Sequence, residues 1–174
     1  EKCFAESEFK MVSIPNSVML IGRHAFRISA LAQVRFLGPA VNEPHSEHSS
    51  DNTKDDHLES KHRLVIGEEA FSYCMLLRQI VFDPGSAVEE IQQMAFQRSG
   101  LESFTAPPSL RKIDALAFRE CPDLNTFELN EDIQELGWLC LWRTRVTSMR
   151  LPPHIRITRE QLGLDQKDPR VLCL

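Results

Sequence analysis

Large apolar side chains recur through this chain on a period of about 23 residues. The most regular mark is an Ala-Phe pair, at Ala25-Phe26, Ala70-Phe71, Ala95-Phe96 and Ala117-Phe118. Two looser copies flank these, Cys3-Phe4 and Cys140-Leu141. Successive copies are 22, 45, 25, 22 and 23 residues apart, so one interval is doubled and the rest agree. A fixed period of this length marks a solenoid, in which each unit is too short to bury its own apolar face and does so by stacking on its neighbours.

Within each unit the pattern resolves into three parts. After the phenylalanine comes L-x-x-L-x-L, where L is any large apolar residue, as in Phe9, Val12, Ile14 and in Leu31, Val34, Phe36. Its last three positions alternate with period two, which predicts a short strand with one buried face. Proline follows at Pro15, Pro107 and Pro152 and ends the strand. Next comes an apolar pair three apart: Val18 and Ile21, Val88 and Ile91, Leu110 and Ile113, Ile133 and Leu136. The Ala-Phe stretch then predicts one tight turn of helix or 3₁₀ helix. All ten phenylalanines fall on inward columns of this register. Gly22, Gly67 and Gly137 recur where the unit is expected to turn.

Two segments break the register. The interval from Phe36 to Ile66 holds about 21 extra residues, 42–62, reading NEPHSEHSSDNTKDDHLESKH. With six acids, two lysines, four histidines and Leu58 as its one aliphatic residue, it predicts a polar loop inserted into the stack. The repeat is therefore expected over 1–158, with 159–174 as a tail. Trp138 and Trp142 occupy columns that elsewhere face outward, and a solenoid needs its open end covered. The tail is expected to fold over this patch through Leu162, Leu164, Val171 or Leu172.

Charge narrows the partners. The net charge of −5 argues against a nucleic-acid backbone. No apolar run reaches the length of a membrane span. The chain opens inside a repeat unit, without a signal peptide, which predicts a fragment or a processed form. It holds no Asn-x-Ser/Thr sequon to favour secretion.

Candidate chemistry is sparse. Cys3 and Cys140 stand in the alanine column, and Cys74 and Cys121 in a column otherwise held by Ser7, Ser29, Ser99 and Thr144. These are small buried positions, and Cys74 and Cys121, two units apart at about 4.8 Å each, are too distant for a disulfide. Cys173 has no place in the repeat. His45, His48, His57 and His62, with Asp51, Asp55 and Asp56, offer metal ligands, but their spacing matches no closed site. No phosphate-binding glycine loop, nucleophile elbow or His-Glu-x-x-His is present, so neither a cofactor nor a catalytic group is expected.

The segments FKMVSIPNSVMLIGRHAF and GLESFTAPPSLRKIDALAFREC carry L-x-x-L-x-L-P-x-x-L-x-x-I-x-x-x-A-F, which resembles the BspA-like, or Treponema pallidum type, leucine-rich repeats. The resemblance covers Cys3 to about Ile155 in six units and departs from the motif at Cys140-Leu141. It implies a right-handed leucine-rich-repeat solenoid, with short parallel strands on the concave face and short helical turns on the convex one. It also implies a microbial surface or secreted protein that binds host or microbial proteins. The concave sheet is then the expected contact surface. Alternation places two rows outward on it. The first is Met11, Gln33, Gln79, Ser103, Thr126 and Ser148, and the second Ser13, Arg35, Val81, Thr105, Glu128 and Arg150. These mixed polar rows suit a protein or glycan better than an apolar ligand. Non-catalytic protein binding in adhesion is the first reading, ahead of an intracellular scaffold or regulatory module of a larger protein. Metal binding by the histidine loop comes third.

Overall fold

The computed structural model describes residues 2–39 and 63–164, which form a stack of parallel rungs. The histidine-rich insert, with its predicted loop and metal ligands, lies outside the described residues, as do Val171, Leu172 and Cys173. Each rung runs through three sides. The first is a strand from the L-x-x-L-x-L segment: β1 (Met11–Ile14), β3 (Gln33–Phe36), β5 (Gln79–Phe82), β7 (Ser103–Thr105) and β9 (Thr126–Glu128). All pairings are parallel and in register, Val12 beside Val34 beside Ile80, and Phe104 beside Phe127.

This side is two sheets, β1-β3-β5 and β7-β9. The split coincides with a change in which strand position carries the phenylalanine. Phe36 and Phe82 take the last apolar position of L-x-x-L-x-L, whereas Phe104 and Phe127 take the one before it and Ala106 stands where Phe82 does. Two neighbouring ring columns result: Phe36 stacks on Phe82 at 5.1 Å in one, Phe104 on Phe127 at 5.0 Å in the other, and Phe82 meets Phe104 edge-on at 6.1 Å where they adjoin. In the last unit Ser148–Arg150 forms no strand beyond a single bridge at Met149, so the sixth strand of the sequence reading is absent.

The apolar pairs three apart build a second side that periodicity did not announce. They form β2 (Leu20–Ile21), β4 (Leu64–Ile66), β6 (Val88–Ile91), β8 (Lys112–Ile113) and β10 (Glu135–Leu136), one continuous five-stranded parallel sheet. Ile21, Ile66, Ile91 and Ile113 are buried in one column beneath it.

The third side corrects the expected helical turn. No helix forms around the Ala-Phe pairs; the single helix among the described residues is α1 (Arg159–Leu162). Instead each rung places one non-glycine residue in the left-handed region before the alanine and another two after the phenylalanine, as at His24 and Ile28, Glu69 and Tyr73, or Leu116 and Glu120. A left-handed residue every few positions cannot propagate a helix. It turns alternate N–H groups the same way instead. His24, Phe26 and Ile28 donate to the carbonyls of Glu68, Ala70 and Ser72 on the next rung, while Ala25, Arg27 and Ser29 close local turns. The same pattern links Phe71 to Ala95, Phe96 to Ala117 and Phe118 to Cys140. The turn side is thus a third ladder, with its N–H groups aimed toward later rungs.

Inside, Phe26, Phe71, Phe96 and Phe118 stack nearly parallel at 5.1–5.3 Å, which sets the rise per rung. Eight of the ten phenylalanines are buried or half-buried inside the stack, but Phe4 and Phe9, on the first described rung, are 47% and 58% exposed. Phe4 stacks on Phe26 at 5.1 Å and has no described rung on its other face. Gly67 and Gly137 owe their place to close approach rather than to a special dihedral. A Cβ on Gly67 would meet the Ile21 carbonyl at 2.4 Å, and one on Gly137 the Ala115 amide nitrogen at 2.1 Å. Gly22, which has no earlier described residue beside it, has nothing within 4 Å.

After the sixth rung, α1 closes the turn-side ladder. The amides of Leu139 and Leu141 donate to the carbonyls of Gln161 and Leu162 at 2.6 and 3.0 Å. A capping box between Thr158 and Gln161 starts the helix, and Gly163, left-handed at φ 83°, ends it against Trp142. Leu162 and Leu164 are buried, whereas Trp138 stays 64% exposed.

Candidate interaction surface

The strand side brings both outward rows together. Gln33 lies beside Gln79 and donates its side-chain amide to the Gln79 Oε1 at 3.2 Å. Arg35 lies beside Val81, and its Nε donates to Asp83 Oδ1 at 2.8 Å. Across the split, Ser103 pairs with Thr126 and Thr105 with Glu128, the Thr105 hydroxyl donating to Glu128 Oε2 at 3.2 Å. Met11 and Ser13 continue the rows on β1. Ser148 and Arg150 are exposed but leave the ladder, since their segment is not a strand. Asp83, Arg78 and Asp123 join this face from outside the predicted rows. Arg78 reaches the Gly100 carbonyl at 3.1 Å and the Asp123 carboxylate at 2.5 Å. They lie in connectors, where alternation offers no signal.

The result is a mostly polar face on paired strands, with Gln33–Gln79, Arg35–Asp83, Arg78–Asp123 and Thr105–Glu128 linked from rung to rung. It can present hydrogen-bond donors, acceptors and both charge signs in a rigid array, which suits a folded partner. Among the described residues, no three His, Cys, Asp or Glu side chains gather as a metal would need, and no helix is long and apolar enough to cross a membrane.

Cys74, Cys121 and Cys140 are buried as expected, but Cys3, on the first described rung, is exposed rather than buried. Cys74 Sγ donates to the Phe26 carbonyl at 3.0 Å and sits 3.3 Å from the Ser29 hydroxyl; Cys121 repeats this with Phe96 at 3.1 Å and Ser99 at 3.3 Å. Burial pushes the Cys74 thiol up, Cys121 to about 11 and Cys140 to about 12. These thiols stay protonated at neutral pH and are not nucleophiles. In native protein at pH 8, a thiol-reactive dye is expected to leave all three unlabelled until denaturant is added. Labelling of Cys121 in the folded state would contradict its burial.

The six-copy match of the BspA type leucine rich repeat region covers residues 1–43 and 49–162. The chain belongs to this family, whose repeats serve in general as protein-interaction modules rather than catalysts. Two crystal structures share the fold. A leucine-rich repeat protein of T. pallidum matches with a TM-score of 0.60 and 22% identity, over 82% of this chain and 59% of that one. One from Bacteroides ovatus matches with a TM-score of 0.60 and 21% identity, over 84% of this chain and 32% of that one. This chain therefore spans under two thirds of the first relative and about a third of the second. No curated protein matches it.

Proposed function

We propose that this chain is a non-catalytic protein-binding module of adhesion type, acting at a microbial surface through its strand side. The observation that carries this reading is the paired, mostly polar face of Gln33, Arg35, Gln79, Val81, Ser103, Thr105, Thr126 and Glu128, with Ser148 and Arg150 beside it. Gln33 is held to Gln79, Arg35 to Asp83 and Thr105 to Glu128 by side-chain hydrogen bonds before any partner arrives, which lowers the ordering entropy that opposes association. Family membership supports the general role, and the surface setting follows from the resemblance to BspA-like proteins.

A variant with Arg35→Glu, Glu128→Lys and Arg150→Glu tests the face. In a pull-down against solubilised surface proteins it is expected to lose the partner that the unaltered chain retains, because three charges meet their like. Undiminished capture would move the site off the strand side. Surface labelling of intact cells tests the setting: a chain that is never labelled serves instead as an intracellular scaffold.

A further inference from the structure

The turn side carries a connected row of side chains that neither the core nor the strand face uses. Arg27 on one rung and Arg98 two rungs on both place their guanidinium carbons 5.3 Å from the Tyr73 ring centre. Arg98 then pairs with Glu120. Glu120 also receives Arg119 at 3.1 Å and Arg143 at 3.6 Å. Those last two arginines lie over Trp142, at 4.7 and 4.2 Å from its centre. One network thus runs across five rungs, from Arg27 to Trp142.

The charges in this row do not balance. Four guanidiniums face two carboxylates, Glu120 and Glu69, and Glu69 is shared with His24. Glu120 is only 11% exposed, and its carboxyl is held below the usual range chiefly by Arg98. It is saturated as an acceptor, whereas Arg98 and Arg143 remain about half and two-thirds exposed. The described residues as a whole hold 16 acidic and 16 basic side chains, so this row is a positive stripe on an otherwise balanced stack.

We propose that the turn-side arginine row is a second docking surface, for an acidic segment of a protein partner. Each guanidinium is held by a ring and spends one nitrogen on Glu69 or Glu120, and the exposed Arg98 and Arg143 have further N–H groups to offer a partner's carboxylate. Both ring systems already hold two guanidiniums each, so bases or sugars that need an aromatic platform find them engaged. The row is short, about 20 Å at the rise set by the phenylalanine stack, so a long polyanion would extend past both its ends. A peptide with a few Asp or Glu residues fits within it. This surface lies apart from the strand-side rows and does not depend on them.

A labelled octaglutamate peptide tests the proposal by fluorescence anisotropy, at about 20 mM and about 150 mM salt. It is expected to bind and to weaken as salt rises. Arg27→Gln with Arg143→Gln leaves Arg98 and Arg119 on Glu120, so the fold is preserved, and should weaken binding about tenfold. Arg143→Glu alone, at an exposed position, should also weaken it. The strand-side triple variant should bind octaglutamate as the unaltered chain does, which separates this surface from the one proposed above. Absence of binding at low salt, full binding by the Arg27→Gln/Arg143→Gln protein, or capture of heparin but not octaglutamate would each overturn the proposal.

Discussion

Phe118→Ala is expected to lower the unfolding free energy by about 3–5 kcal/mol, measured by urea denaturation. Phe118 is fully buried where two ring columns meet. It stacks on Phe96 at 5.3 Å, tilts against Phe104 at 4.7 Å and meets Phe127 edge-on at 5.2 Å. Removing it opens a cavity that backbone ladders on both sides prevent from closing. The amide of Phe118 donates to Cys140 and its neighbours are likewise tied to adjacent rungs, so the rungs cannot slide inward. Phe4→Ala, in the same column, is expected to cost only about 1–2 kcal/mol, because roughly half of that ring already faces water. A Phe118→Ala protein within 1 kcal/mol of its parent, or a Phe4→Ala protein equally damaged, would refute stacking as the source of the core's stability.

The contrast between those residues also measures what the sequence made legible. Repeat count, strand side and inward columns were readable because they repeat: Phe26, Phe71, Phe96 and Phe118 announce one column four times. Exposure at the first rung was not, because Phe4 carries the same mark as the rest and differs only in having no described rung on one side. The second sheet escaped notice for another reason. Strands of two residues, such as Lys112–Ile113 and Glu135–Leu136, have too few positions to alternate. The turn-side ladder was the least legible part. Its left-handed positions hold His24, Ile28, Tyr73, Met94 and Glu120, none of them glycine, so residue type carries no signal for the conformation. The outward rows followed from alternation alone, while Asp83, Arg78 and Asp123 sit in connectors and became visible only with the fold.

The same ladder predicts how the stack fails at its far end. Removing residues 159–174 strips the carbonyl partners from the Leu139 and Leu141 amides and exposes the surface that Leu162 and Leu164 cover. Burial of two leucines is worth about 3–6 kcal/mol and each lost backbone bond about 1 kcal/mol, so the last rung should no longer hold. In a solenoid that loss need not spread, since each rung contacts only its neighbours. Hydrogen exchange is expected to show unprotected amides at Leu139 and Leu141, with Phe71 and Phe96 still protected. Leu162→Ala, which keeps the carbonyls and trims the apolar contact, should fray the same rung less. Uniform loss of protection through Phe71 would mean the rungs unfold as one unit. Unchanged protection at Leu141 would mean α1 is not what closes the ladder.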